Sequence, residues 1–292
     1  MNESFNSFTH HPTKPLTSRQ AAASLGVSES SVKRWCDGGV LRTVRTPGGH
    51  RRIPVEAVLE LSRRDGLEIA EPGKLVGATG GEPASPATAR RLLVRALLRD
   101  DEGAVRNVLD TQRLASSGLD VVADEVIGPA LLELGERWAK GTIEIYEERR
   151  ACGLLHRYLG ALGDRLRQAP ASAPLALGGT LEGDPFTLPT AIVEFVLREH
   201  GMAARSLGSW LPGNTLARAI HEMRPRLVWL AVGHTGPHFR SDYAKVAEAT
   251  RAVGAALVVG GRALRSQERR GLRYASFCDG MVQLSAFAEA IR

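Results

Sequence analysis

Cysteine is scarce in this chain of 292 residues, which contains only Cys36, Cys152 and Cys278, far apart in the sequence. An odd number at such spacing gives neither a disulfide framework nor a CxxC metal motif, so we expect a protein of the reducing cytoplasm. The chain also lacks an apolar run that approaches the ~20 residues of a membrane helix. Its first twenty residues lack the apolar core of a signal peptide, and we expect no membrane partner.

The charge balance is mildly basic. The chain has 38 Lys and Arg against 32 Asp and Glu, which gives a formal net charge of +6, and its pI is about 9.6. Such an excess suits a polyanionic partner. A hydrophobic content of 43% is ample for packed cores. The length leaves room for about two or three domains of ~100–150 residues each.

Composition and periodicity predict a multidomain protein. Apolar residues between 88 and 169 recur at a spacing near 3.6 in four stripes, which predicts a four-helix bundle. Beyond residue 173, short apolar runs such as LALGGT and ALVVGG alternate with helical patterns. This alternation predicts a flavodoxin-like (Rossmann-type) α/β fold with a parallel sheet. The predicted segments are a disordered tail at 1–14, an α-rich winged helix-turn-helix domain at 15–66, a linker at 67–87, the bundle at 88–169 and the α/β domain at 173–292.

Residues 16–53 predict two short helices, a tight turn and a glycine-tipped hairpin. Thr17 and Gln20 have the spacing of a capping box, and Ser28 is placed to cap the second helix. Gly38-Gly39 stops that helix, and segments 41–45 and 51–54 can pair as the strands of a wing. This pattern is typical of a winged helix-turn-helix, whose second helix enters the major groove of DNA.

The polar side chains of this segment are the candidate DNA contacts. Seven Lys and Arg lie between residues 19 and 52, against only Glu29 and Asp37. Hydroxyl groups allow close approach to a groove, and cations can reach phosphates or base edges. The candidates are Arg19, Ser30, Ser31, Lys33, Arg34, Arg42, Arg45, His50, Arg51 and Arg52. The alternative is a solvated helical hairpin with surface arginines. Trp35 is predicted to pack in the core rather than to stack on a base.

These residues resemble the MerR family of transcriptional regulators. The second helix is followed by GGVLRTVRTPGGHRRIP, in which Gly49-His50-Arg51 stands where the family's wing has Gly-Tyr-Arg. The resemblance covers residues 15–64 and implies binding to double-stranded promoter DNA. The family's long dimerisation helix after the wing is replaced here by the Gly- and Pro-rich linker. We therefore expect a homo-oligomer formed through the C-terminal domains.

The C-terminal half resembles the sensor half of the cobalamin-dependent light-sensing repressors. The bundle segment GERWAKGTIEIYEERR places Trp138 and Glu148 at two of the three positions that cover the upper face of the corrinoid in that family. The third position, a histidine in the family, is Arg149. This arginine could hold an anionic group such as a carboxylate or propionate, or it could face solvent on a polar helix surface.

The cobalt-ligating motif of that family is altered. Its Asp/Glu-x-His-x-x-Gly sequence corresponds here to residues 184–189, which places Phe186 at the histidine and Pro189 at the glycine. The family's serine at the end of the third strand is Ala231, whereas the Gly260-Gly261 pair is retained. Phenylalanine cannot ligate a metal. Three alternatives for the cofactor therefore remain: cobalamin bound without this ligand, another tetrapyrrole, or no cofactor.

The carboxyl edge of the sheet is where open α/β folds bind ligands. His234 and His238 lie there on a loop with no third ligand nearby, so we predict no metal site and favour surface loop or pocket-lining histidines. We see no nucleophile–base pair or phosphate loop and assign no catalytic residue. His200 and His221 lie on amphipathic helices and are expected to face solvent. The ligand-pocket candidates are Trp138, Glu148, Arg149, Asp184, Phe186, His234, Gly260 and Gly261.

These observations favour a sequence-specific DNA-binding regulator with a degenerate cobalamin-type sensor. Its sensor half would control oligomerisation through another small molecule or a protein effector. The alternative is a functional adenosylcobalamin-dependent light-sensing repressor. A third class, a corrinoid methyltransferase or mutase subunit, would need the missing histidine and a catalytic partner, so we expect no enzyme.

Overall fold

The computed structural model describes residues 15–45, 51–65, 67, 84–116, 118–166 and 168–292. The chain forms two compact units, Met1–Ala84 and Ser85–Arg292. The predicted tail, the wing tip at 46–50 and residues 68–83 of the predicted linker lie outside the described residues. No helix among the described residues is long and apolar enough to cross a membrane.

The first unit is built on a small apolar core beneath three helices. Its elements are α1 (Ser18–Ser24), α2 (Glu29–Asp37), the antiparallel pair β1 (Val44–Arg45) and β2 (Arg51–Arg52), and α3 (Val55–Asp65). Leu16 and Ile53 exchange backbone hydrogen bonds of 2.7 and 2.8 Å and are fully buried. This bridge ties the start of the unit to the end of the wing. The predicted winged helix-turn-helix is confirmed, with shorter wing strands than the sequence predicts.

The second unit begins with the predicted four-helix bundle. The bundle comprises α4 (Pro86–Leu98), α5 (Glu102–Ser116), α6 (Leu119–Val122), a π-helical turn (Ala123–Ile127), α7 (Gly128–Ala139) and α8 (Ile145–Gly163). The third helix of the bundle is thus one continuous path through α6, the π turn and α7. Ser85 caps α4 by accepting a hydrogen bond from the Thr88 amide. The helical region therefore begins two residues before the predicted boundary at 88, because a Ser-Pro pair starts a helix rather than extending a linker.

The α/β part has these elements in chain order: β3 (Leu175–Gly179), α9 (Leu188–Glu199), β4 (Ala203–Ser206), α10 (Gly213–Met223), β5 (Leu227–Ala231), α11 (Phe239–Ala252), β6 (Ala256–Gly260), β7 (Ser276–Cys278) and α12 (Met281–Ile291). The five strands form a parallel sheet in the order β4-β3-β5-β6-β7. One face buries Trp229 against α9 and α12, and the other buries Val228 and Leu230 against α10 and α11. The doubly wound α/β fold is confirmed, with β7 and α12 added to the predicted elements.

Helix α9 belongs to both the bundle and the sheet. Its Leu188, Ile192 and Val196 pack into the bundle core, whereas Val193 and Leu197 pack on the sheet. A helix that is apolar on two faces must be buried between two layers. The bundle and the sheet are therefore joined through a shared element.

Candidate functional sites: the helix-turn-helix face and the sheet edge

Helix α2 is positioned by local hydrogen bonds that the sequence predicts. The Thr17 hydroxyl accepts from the Gln20 amide at 3.2 Å, and the Gln20 side chain accepts from the Thr17 amide at 2.9 Å, which completes the capping box of α1. Gly26 makes the turn with a φ of +65°, a conformation that favours glycine. Ser28 then caps α2 by accepting from the Ser31 amide at 3.1 Å. Val32 is fully buried, so the opposite side of α2 faces outward.

The outward side of α2 carries hydroxyl groups and cations. Ser30, Lys33 and Arg34 are exposed, and Ser31 is half-buried. The hydroxyls of Ser30 and Ser31 each lie 2.8 Å from the Ser28 hydroxyl, so these three serines form one small hydrogen-bonded group. Lys33 pairs with Glu29 at 2.9 Å, one turn earlier. An exposed pair of this kind contributes little stability, so Lys33 can exchange Glu29 for a phosphate at small cost.

The wing adds further arginines to the same unit. Arg42, Arg45 and Arg51 are exposed and Arg52 is half-buried. Arg51 donates to Asp37 at the end of α2, and this bond raises the pKa of the Arg51 guanidinium. His50 lies outside the described residues. Arg19, Arg34, Arg42, Arg45 and Arg52 form no ion pair within the described part of this unit.

Trp35 and Cys36 occupy the boundary between this face and the core. Both are half-buried and pack against the cluster that contains Val32 and Leu41. Burial raises the pKa of the Cys36 thiol. Trp35 therefore packs in the core, as the helical spacing predicts, although part of its ring stays accessible.

At the sheet edge, Asp184 fastens two loops together. Its side chain is almost fully buried, at 2% exposure. One carboxylate oxygen accepts from the Phe186 amide at 3.1 Å, and the other accepts from the Gly233 and His234 amides at 2.6 and 3.0 Å. Hydrogen bonds from backbone amides satisfy a buried carboxylate. Asp184 thus joins the loop after β3 to the loop after β5, and both of its oxygens already accept hydrogen bonds from backbone amides.

Phe186 and His234 lie on these joined loops. Phe186 is 40% exposed, and its ring covers Gly233 so closely that a Cβ on Gly233 would lie 2.7 Å from the ring. His234 is exposed, with Nδ1 3.1 Å from the Gly183 carbonyl oxygen. Gly183 in turn packs on Gly236, because a Cβ on Gly183 would lie 2.7 Å from the Gly236 Cα. The two loops are therefore in direct contact at glycines.

The Gly260-Gly261 pair serves the same close packing. A Cβ on Gly261 would lie 2.2 Å from the Val232 carbonyl oxygen, and Gly261 has a φ of +121° that other residues rarely adopt. A Cβ on Gly260 would lie 2.7 Å from the Cys278 carbonyl oxygen. Both glycines let neighbouring strand ends approach closely. This packing explains why two glycines stand here, without any need for a bound ligand.

The bundle candidates lie along and before α8. Trp138 is 49% exposed near the end of α7. Glu148 is largely buried, and its Oε1 accepts from the Cys152 thiol at 3.3 Å. Its Oε2 is buried without a hydrogen-bond partner, and the Arg149 Nε lies 3.5 Å from it. The Arg149 side chain is 58% exposed, so it reaches solvent while remaining next to Glu148.

Cys152 and His156 follow Glu148 on the same side of α8, at successive spacings of four residues. Burial, followed by the charge of Glu148, raises the pKa of the Cys152 thiol to about 12. His156 lies one turn further, with Nε2 2.9 Å from the Thr187 hydroxyl, and burial lowers its pKa. This contact joins α8 to the residue after Phe186. Sequence reasoning missed His156, although its i, i+4 spacing from Cys152 was a usable signal.

The prediction that His200 faces solvent is wrong, whereas His221 is exposed. His200 is half-buried at the end of α9, with Nε2 3.3 Å from Asp120 and Nδ1 2.8 Å from Glu289. It is drawn inward because α9 is covered on two faces rather than one. Among the described residues, no group of three or more His, Cys, Asp or Glu side chains is placed to hold a metal ion.

Comparison with known families agrees with the two units. Residues 15–64 match the family described as helix-turn-helix domain, and residues 89–162 match the family described as B12 binding domain. The chain therefore carries a helix-turn-helix DNA-binding domain, followed by a helical region of the B12-binding type and a parallel α/β sheet.

Two individual proteins are similar to this chain. The chain is 29% identical over 274 residues to the HTH-type transcriptional repressor CarH of Myxococcus xanthus, across 85% of this chain and 89% of that protein. The solved monomethylamine corrinoid protein of Methanosarcina barkeri is 12% identical, covers 71% of this chain and 100% of its own, and has a TM-score of 0.55. The first is a distant homologue, and the second shows the shared fold alone.

Proposed function

We propose that this chain is a sequence-specific transcriptional regulator of the MerR type that binds double-stranded promoter DNA. The observation that carries the proposal is the outward side of α2, where Ser30, Lys33 and Arg34 stand exposed above the buried Val32. The wing adds Arg42, Arg45 and Arg52, which form no ion pair among the described residues. The distant likeness to a transcriptional repressor supports a regulator rather than an enzyme.

The experiment is selection of binding sites from a random DNA library with the full chain. A sequence-specific regulator enriches one family of sites, and removing a base-reading arginine costs about 1–3 kcal/mol of discrimination. We expect the double variant Arg34→Ala, Arg51→Ala to lose the selected site. The matched control is Arg218→Ala, which removes an exposed arginine paired with Glu222 on α10. Retention of the selected site by the double variant would contradict the assigned DNA-binding face.

We infer that the sensor half does not hold cobalamin through a lower histidine ligand. Phe186, at the position that resemblance assigns to that ligand, has no atom that can coordinate cobalt. The Asp184 carboxylate beside it is already satisfied by three amides. Arg149 at the upper position carries a cation next to Glu148 instead of an imidazole. The donor set therefore does not fit a histidine-ligated corrinoid.

The second candidate is a functional adenosylcobalamin-dependent light-sensing repressor. The match of residues 89–162 to the B12 binding domain family and the 29% identity to the repressor of Myxococcus xanthus favour it. The discriminating measurement is the absorption spectrum and mass of protein purified from cells grown with cobalamin. We expect a colourless protein whose DNA binding is equal in light and dark. Corrinoid absorption bands in the purified protein would favour the second candidate.

The control mechanism that we propose is a population shift in the second unit. An effector, either a small molecule or a protein, would favour one packing of the bundle against the sheet. That packing depends on α9 and on bonds between the two layers, such as His156 with Thr187 at 2.9 Å. A change there would alter the surface that forms a homo-oligomer and so the affinity of paired DNA-binding units for an operator.

A further inference from the structure

The segment that follows β6 concentrates positive charge on the second unit. Residues 262–273 read RALRSQERRGLR, with five arginines and one glutamate, so they contribute +4 to a chain whose formal net charge is +6. Four of these arginines are exposed: Arg262, Arg265, Arg270 and Arg273. None of the four forms an ion pair with a carboxylate in the part of the chain that the structure describes.

The backbone of this segment is fixed in place by bonds from α11. The Arg240 guanidinium donates to the carbonyl oxygens of Glu268 and Arg270, both at 3.2 Å. The Tyr243 hydroxyl donates to the Arg273 carbonyl oxygen at 3.0 Å. Leu264 is buried in the core beneath the segment. The backbone that carries the exposed arginines is therefore fixed before binding, which reduces the conformational entropy lost when they bind a partner.

The remaining charged residues of the segment do not neutralise these arginines. Arg269 lies over the Phe277 ring, with its guanidinium carbon 4.0 Å from the ring centre. Glu268 has one carboxylate oxygen buried without a hydrogen-bond partner. Some other exposed arginines of this unit, such as Arg106, Arg137 and Arg157, are paired with glutamates. The unpaired arginines of segment 262–273 thus resemble those of the helix-turn-helix unit.

We propose that segment 262–273 is a second DNA contact, which binds the phosphate backbone of double-stranded DNA without reading its sequence. The segment contains arginine and no lysine, and the guanidinium group matches phosphate oxygens in a two-bond geometry. Four guanidinium groups spread over twelve residues suit a repeated phosphate better than one small anion. DNA is the favoured polyanion because the same chain carries a helix-turn-helix domain, and the proposal rests on the DNA-binding function proposed above.

The test measures how salt weakens the binding of the full chain to a 50-base-pair duplex. The test variant replaces four arginines by glutamine: Arg262, Arg265, Arg270 and Arg273. The control variant makes the same replacement at four exposed arginines for which no ion pair is formed among the described residues: Arg95, Arg99, Arg205 and Arg251. The two variants lose the same net charge, so only the location differs. Binding is followed by fluorescence anisotropy between about 50 and 300 mM salt, a range in which phosphate contacts are strongly salt-dependent.

Each phosphate contact contributes about −0.9 to the slope of log K against log salt. We expect the test variant to have a slope less steep by about 3–4 and an affinity more than tenfold lower at 100 mM salt. The control variant should change the slope by less than about 1. Equal slopes for the two variants would overturn the proposal. If an RNA of equal length binds more tightly than the DNA duplex, and this binding depends on segment 262–273, the choice of DNA as partner is wrong.

The helix-turn-helix variant Arg34→Ala, Arg51→Ala separates this proposal from the proposed function. We expect it to lose sequence selection while it retains binding that depends on segment 262–273. If it retains sequence selection, the proposed DNA-binding face is wrong while the second contact still stands. If the test variant has the wild-type salt slope while the helix-turn-helix variant loses sequence selection, the second contact is wrong and the proposed function still stands.

Discussion

The joint between bundle and sheet can be tested at Asp124, which lies in the π-helical turn. Its carboxylate accepts from the Met281 and Val282 amides at 2.7 and 3.0 Å, the first amides of α12. The approach depends on Gly280, where a Cβ would lie 2.5 Å from Asp124 Oδ2. Asp124 therefore caps a helix that begins 157 residues later in the chain. The π turn provides the local geometry that aims this carboxylate outward from the bundle.

The expected cost of Asp124→Ala follows from these two bonds. A hydrogen bond to a charged group is worth about 1.5–3 kcal/mol, and loss of a helix cap costs about 0.5–2 kcal/mol. The two estimates describe the same bonds and overlap. Asp124 is half-buried, so solvent weakens its interactions. We therefore expect the free energy of unfolding of the second unit to fall by about 1–3 kcal/mol. Asp124→Asn keeps one acceptor oxygen and should lose about half as much.

The assay is urea unfolding followed by tryptophan fluorescence. Trp229 is buried in the second unit and reports its unfolding. The matched control is Asp164→Ala, an exposed aspartate at the end of α8, for which we expect a change within about 0.5 kcal/mol. If Asp124→Ala and Asp164→Ala unfold at the same urea concentration, the cap does not hold the joint. The proposed coupling of bundle to sheet would then lose one of its physical supports.

Three further predictions concern the second unit. In Gly178→Ala, the new Cβ would lie 2.3 Å from Trp229. We expect a cost of about 1–3 kcal/mol in a thermal unfolding scan, and an unchanged midpoint would contradict the packing. Burial lowers the pKa of His156 in the folded protein. In the unfolded chain the imidazole has its ordinary pKa of about 6.5, so near and below that pH the unfolded chain binds more protons than the folded one. Stability should therefore rise with pH through this window, and His156→Gln should flatten the rise; an identical pH profile would contradict it. The pKa of Cys152 is raised to about 12, so iodoacetamide at pH 8 should alkylate it slowly. Glu148→Gln should speed that reaction, as detected by mass spectrometry, because it removes a negative charge beside the thiol.

Much of the fold follows from local patterns in the sequence. The Thr17–Gln20 capping box and the Ser28 cap depend on residues three apart, so their spacing alone predicts them. Strands β3, β5 and β6 are continuous apolar runs, as buried parallel strands require, whereas the edge strand β4 includes the exposed Arg205. Strand β7 was missed because Ser276–Cys278 is only three residues long and carries no such run. Helix α12 was missed with it.

The candidate sites were less predictable where contacts are distant in sequence. Asp184 was predicted to line a pocket, yet its partners Gly233 and His234 lie about fifty residues away and satisfy its carboxylate. His200 was predicted to face solvent because its helix pattern shows nothing of Asp120 or Glu289. Such contacts depend on how the layers stack, whereas a periodic pattern indicates only which face of a helix is apolar.

The central claim is that α2 and the wing read a DNA sequence, and one binding ratio tests it most directly. The measurement is the affinity of the full chain for its selected duplex, divided by its affinity for a shuffled duplex of equal composition, at physiological salt. Specific regulators reach ratios of about 10³ or more. We predict such a ratio for the wild-type chain and a ratio near one for Arg34→Ala, Arg51→Ala. A wild-type ratio near one, or an unchanged ratio in the double variant, would contradict the account.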